Sequence, residues 1–195
     1  MIAVRPSLEE FQEIASSRRV ISVYAKILAD DLTPVALYHA LCGTREGTYL
    51  LESADAGVFS RYSIVGVRAE ATLTEVDGRA VWLGRELVGI EDGDPLEVLR
   101  RTLDELATPA DAELPPFHAG MVGYLGYDVV RRLERLPETT VDDLRLPELT
   151  LLLASELAVL DHHKGELWLI ANAINYDGTD EGVERAYGRA VAAIQ

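Results

Sequence analysis

Apolar positions recur along the chain with two periods, one of about 3.6 residues and one of 2, and these predict its elements. Leu8, Phe11 and Ile14/Ala15 fall at helical spacing directly after Ser7-Leu8-Glu9-Glu10. That tetrapeptide is a capping box, in which the Ser7 hydroxyl accepts from the Glu10 amide and Glu10 reaches back. Thr33-Pro34 supplies a cap and a first-turn proline for a helix over 35–41, with Gly43 as its stop. Asp94-Pro95-Leu96-Glu97 repeats the device ahead of Leu96, Leu99, Leu103 and Leu106, which share one face. Thr179 caps a last helix carrying Val183, Ala186, Tyr187, Ala190 and Ile194.

Between these lie β-rich runs at 20–28, 48–52, 62–67, 69–76, 79–83, 120–127, 150–160 and 166–173. Asp77-Gly78 is a strong hairpin signal, because both turn residues tolerate positive φ. The segment 161–165 joins the last two strands as a second hairpin loop. Asp128 is placed to cap a short helix over 129–133. Hairpin connections outnumber strand–helix–strand crossovers. The order therefore predicts an α+β fold with largely antiparallel sheets, two of them packed together, and peripheral helices. The stretch 108–116 (TPADAELPP) reads as a linker, and 137–147 as a further loop.

Composition narrows the classes of function. The 195 residues carry 18 Lys+Arg against 33 Asp+Glu, a formal net charge of −15. Such acidity argues against nucleic acid, which calls for a basic footprint. It argues equally against attachment to anionic lipid. No apolar run approaches the ~18 residues of a membrane span. The start MIAVRPSLEEF has no basic region followed by an apolar one, so no signal peptide is expected. Cys42 is the one cysteine, which excludes an intramolecular disulfide and fits a cytoplasmic protein.

Catalytic motifs are sparse. The nucleophile elbow G-x-S-x-G is absent. Cys42 lies within an amphipathic helix and reads as a small buried residue, with no basic cluster to lower its pKa. His162-His163 sits at a hairpin tip, where neighbouring side chains diverge, so a shared metal is not expected. Gly120, Gly123 and Gly126 have the spacing G-x-x-G-x-x-G, which is not a dinucleotide fingerprint; within a strand they permit close backbone approach or a bend. Tyr49-Leu50-Leu51-Glu52-Ser53 is more informative. A carboxylate (Glu52) and a hydroxyl (Ser53) emerge at a strand end, and Arg61 follows where the chain re-enters. Beside leucines, these groups match the needs of a zwitterionic amino acid: acceptors for its ammonium, donors for its carboxylate, apolar walls for its side chain. On chemistry alone, a surface ion pair at a strand end is the simpler reading of the same groups.

The same residues resemble a known family. Leu50-Leu51-Glu52-Ser53 followed by Ser60-Arg61-Tyr62-Ser63-Ile64-Val65-Gly66 is similar to the LLES…RYS signature of the anthranilate synthase large subunit, component I. The run Gly120-Met121-Val122-Gly123-Tyr124-Leu125-Gly126-Tyr127-Asp128-Val129-Val130-Arg131, with Glu134 and Leu136-Pro137, resembles that family's second N-terminal signature. Pro6 to Phe11, and the spacing from Val23-Tyr24 to Thr33-Pro34, fit as well. The resemblance runs from about residue 6 to 175.

It implies that the whole chain, 1–195, is the N-terminal regulatory domain of a longer enzyme. That enzyme would convert chorismate to anthranilate and pyruvate on the way to tryptophan. Its ammonia would come from a glutamine amidotransferase subunit (component II). Its Mg²⁺ ligands and catalytic residues would lie in a chorismate-binding domain with no match here, so the 195 residues alone are expected to be inactive. The resemblance places Ser53 in the L-tryptophan feedback pocket, with Glu52 before it and Arg61 near the bound amino acid. The large subunit of aminodeoxychorismate synthase is a related possibility; its motif usually has Asp before the serine, and Glu52 favours the anthranilate branch. An amino-acid-binding or subunit-docking module without catalysis is the reading from a different class.

Overall fold

The computed structural model describes residues 2–53, 61–90, 92–137, 139 and 141–195. The four long predicted helices form behind their predicted caps. Helix α1 (Leu8–Ala15) has the full capping box, with the Glu10 N–H donating to Ser7 Oγ and the Ser7 N–H to Glu10 Oε2. Helix α2 (Pro34–Cys42) starts on Thr33 and ends at Gly43, whose φ of 56° is open to glycine at little steric cost. Helix α3 (Pro95–Glu105) starts on Asp94, which accepts from the Leu96 and Glu97 amides. Helix α4 (Asp180–Ile194) starts on Thr179. The apolar face of α3 is rotated from the one predicted. Val98 and Thr102 are its buried centre, whereas Leu103 is half exposed.

Seven strands form one antiparallel sheet: β1 (Val20–Leu28), β2 (Tyr49–Leu51), β3 (Tyr62–Val76), β4 (Arg79–Gly84), β5 (Met121–Leu125), β6 (Leu149–Asp161) and β7 (Glu166–Ile174). The α+β, antiparallel expectation holds. In place of two separate sheets, however, the strands share one hydrogen-bonded sheet in the order β1-β7-β6-β3-β2, with β4 added to β3 and β5 to β6. Two long central strands make this possible. The runs predicted at 62–67 and 69–76 are a single 15-residue strand, β3. Its first half lies between β2 and β6, its second half between β4 and β6. Between the halves the register slips, from Gly66 to Thr72. A bulge of this kind unpairs a backbone amide. Ser155 supplies a partner: its Oγ accepts from the Glu70 N–H at 3.0 Å and donates to the Leu153 carbonyl at 3.1 Å.

Period-2 alternation decides what covers the sheet. Ile21, Val23 and Ala25 of β1 face α1 and α4 together with Ala171 and Ala173 of β7. Farther along the sheet, Leu37 and Cys42 of α2 pack on Val65, Ala158, Leu160 and Leu167. Tyr24, Trp168, Ile170, Leu157 and Val159 form another cluster, against which Leu114 and Phe117 pack. Leu114 comes from the segment expected to be a linker, and Phe117 directly follows it. It is a strap, fastened by Glu113 to the Tyr24 hydroxyl at 3.3 Å and by the His118 carbonyl, which accepts from Asn172 Nδ2 at 2.9 Å. Acids and prolines read as a spacer because pattern alone does not reveal that Pro115 is buried.

Candidate functional site

Strand β2 is three residues long, and its antiparallel register sets the geometry. Tyr49 lies opposite Gly66, Leu50 opposite Val65 and Leu51 opposite Ile64. The chain therefore leaves β2 at the end where β3 begins, which brings Glu52 and Ser53 to the same end of the sheet as Arg61 and Tyr62. Glu52 and Ser53 are exposed. The intervening loop, including Ser60 of the second half-motif, lies outside the described residues. The Tyr49 ring lies across the flat surface of Gly66, where a β-carbon would overlap it. Burial raises the Tyr49 phenol well above its usual pKa, and its hydroxyl has no hydrogen-bond partner among the described residues.

Arg61 makes a two-pronged contact with Asp161, the last residue of β6. Nε donates to Oδ1 at 3.0 Å and Nη2 to Oδ2 at 2.6 Å. The Asp161 side chain is 2% exposed and the Arg61 side chain 33%. Oδ1 also accepts from the His163 amide, at 3.1 Å. These donors, the Arg61 guanidinium first, hold the Asp161 carboxyl below its ordinary pKa and outweigh its desolvation. The Arg61 guanidinium carbon lies 4.8 Å from the Tyr62 ring centroid. Next to this pair, the His162 N–H donates to the Arg61 carbonyl, and His162 Nε2 lies 2.8 Å from Ser63 Oγ. Ser63, His162 and Asp161 do not form a catalytic relay, since Asp161 commits both oxygens to Arg61 and the His163 amide.

The three candidates thus share one end of the sheet, but the ion pair possible between Glu52 and Arg61 is not made. Arg61 pairs with Asp161. Asp161 and His162 were not foreseen as part of this end. The only signal for Asp161 in the sequence is an acid closing the apolar run Leu157 to Leu160, and its partner lies 100 residues away.

The second motif is structural over most of its length. Gly123 of β5 lies so close to β6 that a β-carbon would strike the Thr150 carbonyl. The predicted close approach is therefore real. The helix expected after it is a 3₁₀ turn, Tyr127–Arg132, entered from Gly126 with no side-chain cap. Asp128 does not cap it; it accepts from Arg131 Nε at 2.7 Å instead. Cys42 is buried, which raises its thiol pKa, in line with the packing role read from its helix. Among the described residues no three His, Cys, Asp or Glu side chains converge as cation ligands.

Comparison with known proteins agrees with the motifs. Anthranilate synthase component 1 of Mycolicibacterium smegmatis is 51% identical over 195 residues, which cover 99% of this chain and 37% of that protein. The chain belongs to the anthranilate synthase component 1 family, as an N-terminal portion. The component 1 of Mycobacterium tuberculosis (strain H37Rv) is 49% identical over 198 residues, 38% of its length. That of Thermus thermophilus is 42% identical over 146 residues, 30% of its length. The chain thus spans just over a third of the mycobacterial relatives' length. The crystal structure of anthranilate synthase component I from Streptococcus pneumoniae shares the fold, with a TM-score of 0.50, 24% identity and coverage of 84% of this chain and 35% of that one. No family model matches. No described helix is long and apolar enough to cross a membrane.

Proposed function

We propose that this chain is the regulatory N-terminal domain of an anthranilate synthase component 1, and that it contributes the L-tryptophan feedback site. The complete enzyme would convert chorismate, with ammonia from a glutamine amidotransferase subunit, to anthranilate and pyruvate in the cytoplasm. The observation that carries the reading is the register of β2 on β3, which brings Glu52, Ser53 and Arg61 to one end of the sheet. A carboxylate, a hydroxyl and a guanidinium there suit the two charged ends of an amino acid. Among the described residues no cluster of His, Cys, Asp and Glu side chains could hold the enzyme's Mg²⁺, and no step through the metal is assigned to them. The 195 residues alone are expected to be inactive. In this mechanism tryptophan at the β2–β3 end biases the packing between this domain and the chorismate-binding one.

Turnover of the full-length enzyme, titrated with tryptophan, tests the reading. Ser53→Phe fills the space beside Glu52 and should raise the half-inhibitory concentration by roughly 5–150-fold, the span of ordinary allosteric coupling energies. Unchanged inhibition removes Ser53 from the site.

A further inference from the structure

We propose that Asp161 is a positioning residue of the effector site, holding the Arg61 guanidinium so that its outward N–H groups receive the α-carboxylate of the bound amino acid. This rests on the regulatory reading of the β2–β3 end.

The geometry has an inner and an outer side. Asp161 occupies Nε and one N–H of Nη2, and among the described residues no side chain or carbonyl takes the Nη1 donors of Arg61. The carboxylate is buried and the guanidinium is one-third exposed, so the pair reaches from the sheet interior to the surface. Asp161 itself is held fast. Its backbone is paired with Tyr62 on one side and Glu166 on the other. Its carbonyl accepts from the Lys164 and Gly165 amides, and Oδ1 from the His163 amide. The Tyr62 ring limits the guanidinium on a further side. A free arginine side chain loses rotamer entropy when a ligand immobilises it. Here Asp161 has already restricted Arg61, so a ligand meets a preorganised planar fork.

The charge balance sharpens the ligand class. Paired with Asp161, Arg61 adds almost no net charge to its surroundings. It therefore recognises by aligned donors rather than by bulk attraction, which a chain of formal charge −15 would not give to an anion. Such a site distinguishes a carboxylate from its absence. An amino acid should bind, and the corresponding decarboxylated amine should bind poorly, although the amine keeps the ammonium and the whole side chain.

Calorimetry on the full-length enzyme with L-tryptophan and with tryptamine, which lacks the carboxylate, tests this. The wild type should prefer tryptophan by roughly tenfold or more, about the energy of a charge-assisted hydrogen bond. Asp161→Asn should weaken tryptophan and leave tryptamine nearly unchanged, so that the preference falls toward one, and Asp161→Glu should recover part of it. Arg61→Lys should behave like Asp161→Asn, since an ammonium cannot fork, and it carries the comparison if Asp161→Asn does not fold. Equal losses for both ligands would make Asp161 a merely structural residue and overturn the proposal. So would a wild type without preference. If Asp161→Asn keeps the preference while Ser53→Phe relieves inhibition, the proposal falls and the regulatory reading stands. If Ser53→Phe also leaves inhibition intact, both fall.

Discussion

At the scale of single residues, the two motifs separate into positions that build the sheet and positions that meet solvent. Gly66 belongs to the first kind. Its φ is ordinary, and it is required because the Tyr49 ring occupies the space of a β-carbon. Gly66→Ala must displace that ring from a site where it is largely buried, and overpacking of this type costs about 1–3 kcal/mol. A lowered midpoint in urea at unchanged m-value is the expected result, with Tyr49→Ala in the same chain restoring part of the loss; additivity of the two would argue against the contact. That Glu52, Ser53 and Arg61 stand near one end of a strand pair was legible in the sequence, because a short apolar run ends in polar groups and resumes after a short interval. Asp161 was not. A fork between residues 61 and 161 depends on β3 and β6 being neighbours, and nothing local to either residue encodes that pairing.

At the scale of elements, caps and turns carried most of the reading. Ser7, Thr33, Asp94 and Thr179 each begin a helix where their side chains predict. Asp77 and Gly78 take φ of 50° and 81° and close the β3–β4 hairpin. These signals are local, so one sequence suffices to see them. The join within β3 and the strap over 108–116 were missed because each depends on a distant partner: Ser155 under the bulge, and Tyr24 with Trp168 beneath Leu114. The bulge gives a prediction at this scale. Ser155→Ala removes the acceptor for the Glu70 N–H in a half-buried setting. An unsatisfied buried amide costs about 1–3 kcal/mol. Hydrogen exchange at Glu70 should accelerate more than at the β1–β7 amides, because the opening is local to the middle of β3. Uniform acceleration across the sheet would mean that Ser155 acts on global stability and not on the bulge.

At the scale of the whole molecule, the helices and the strap cover much of the sheet, and large exposed apolar side chains gather elsewhere. Tyr127 is 92% exposed, and Leu125, Leu133, Val141, Leu144 and Leu146 are at least half exposed. Tyr124, Tyr127, Leu144 and Leu146 border a concavity of about 640 Å³ beyond the end of β5. Grouped apolar surface of this kind favours association. The charge of −15 opposes it, since two copies repel. The balance must then depend on salt, because screening shortens the reach of repulsion from ~10 Å at 0.1 M to ~3 Å at 1 M and leaves apolar contact in place. The 195-residue chain is expected to sediment nearer to a monomer in dilute buffer and to self-associate as salt rises. A double substitution, Tyr127→Asp with Leu146→Asp, should keep it monomeric throughout, with little loss of stability because both side chains are already in water. Association that weakens with salt would assign it to charge pairing instead. A sharp fall in stability of the double variant would show that these side chains pack in the monomer.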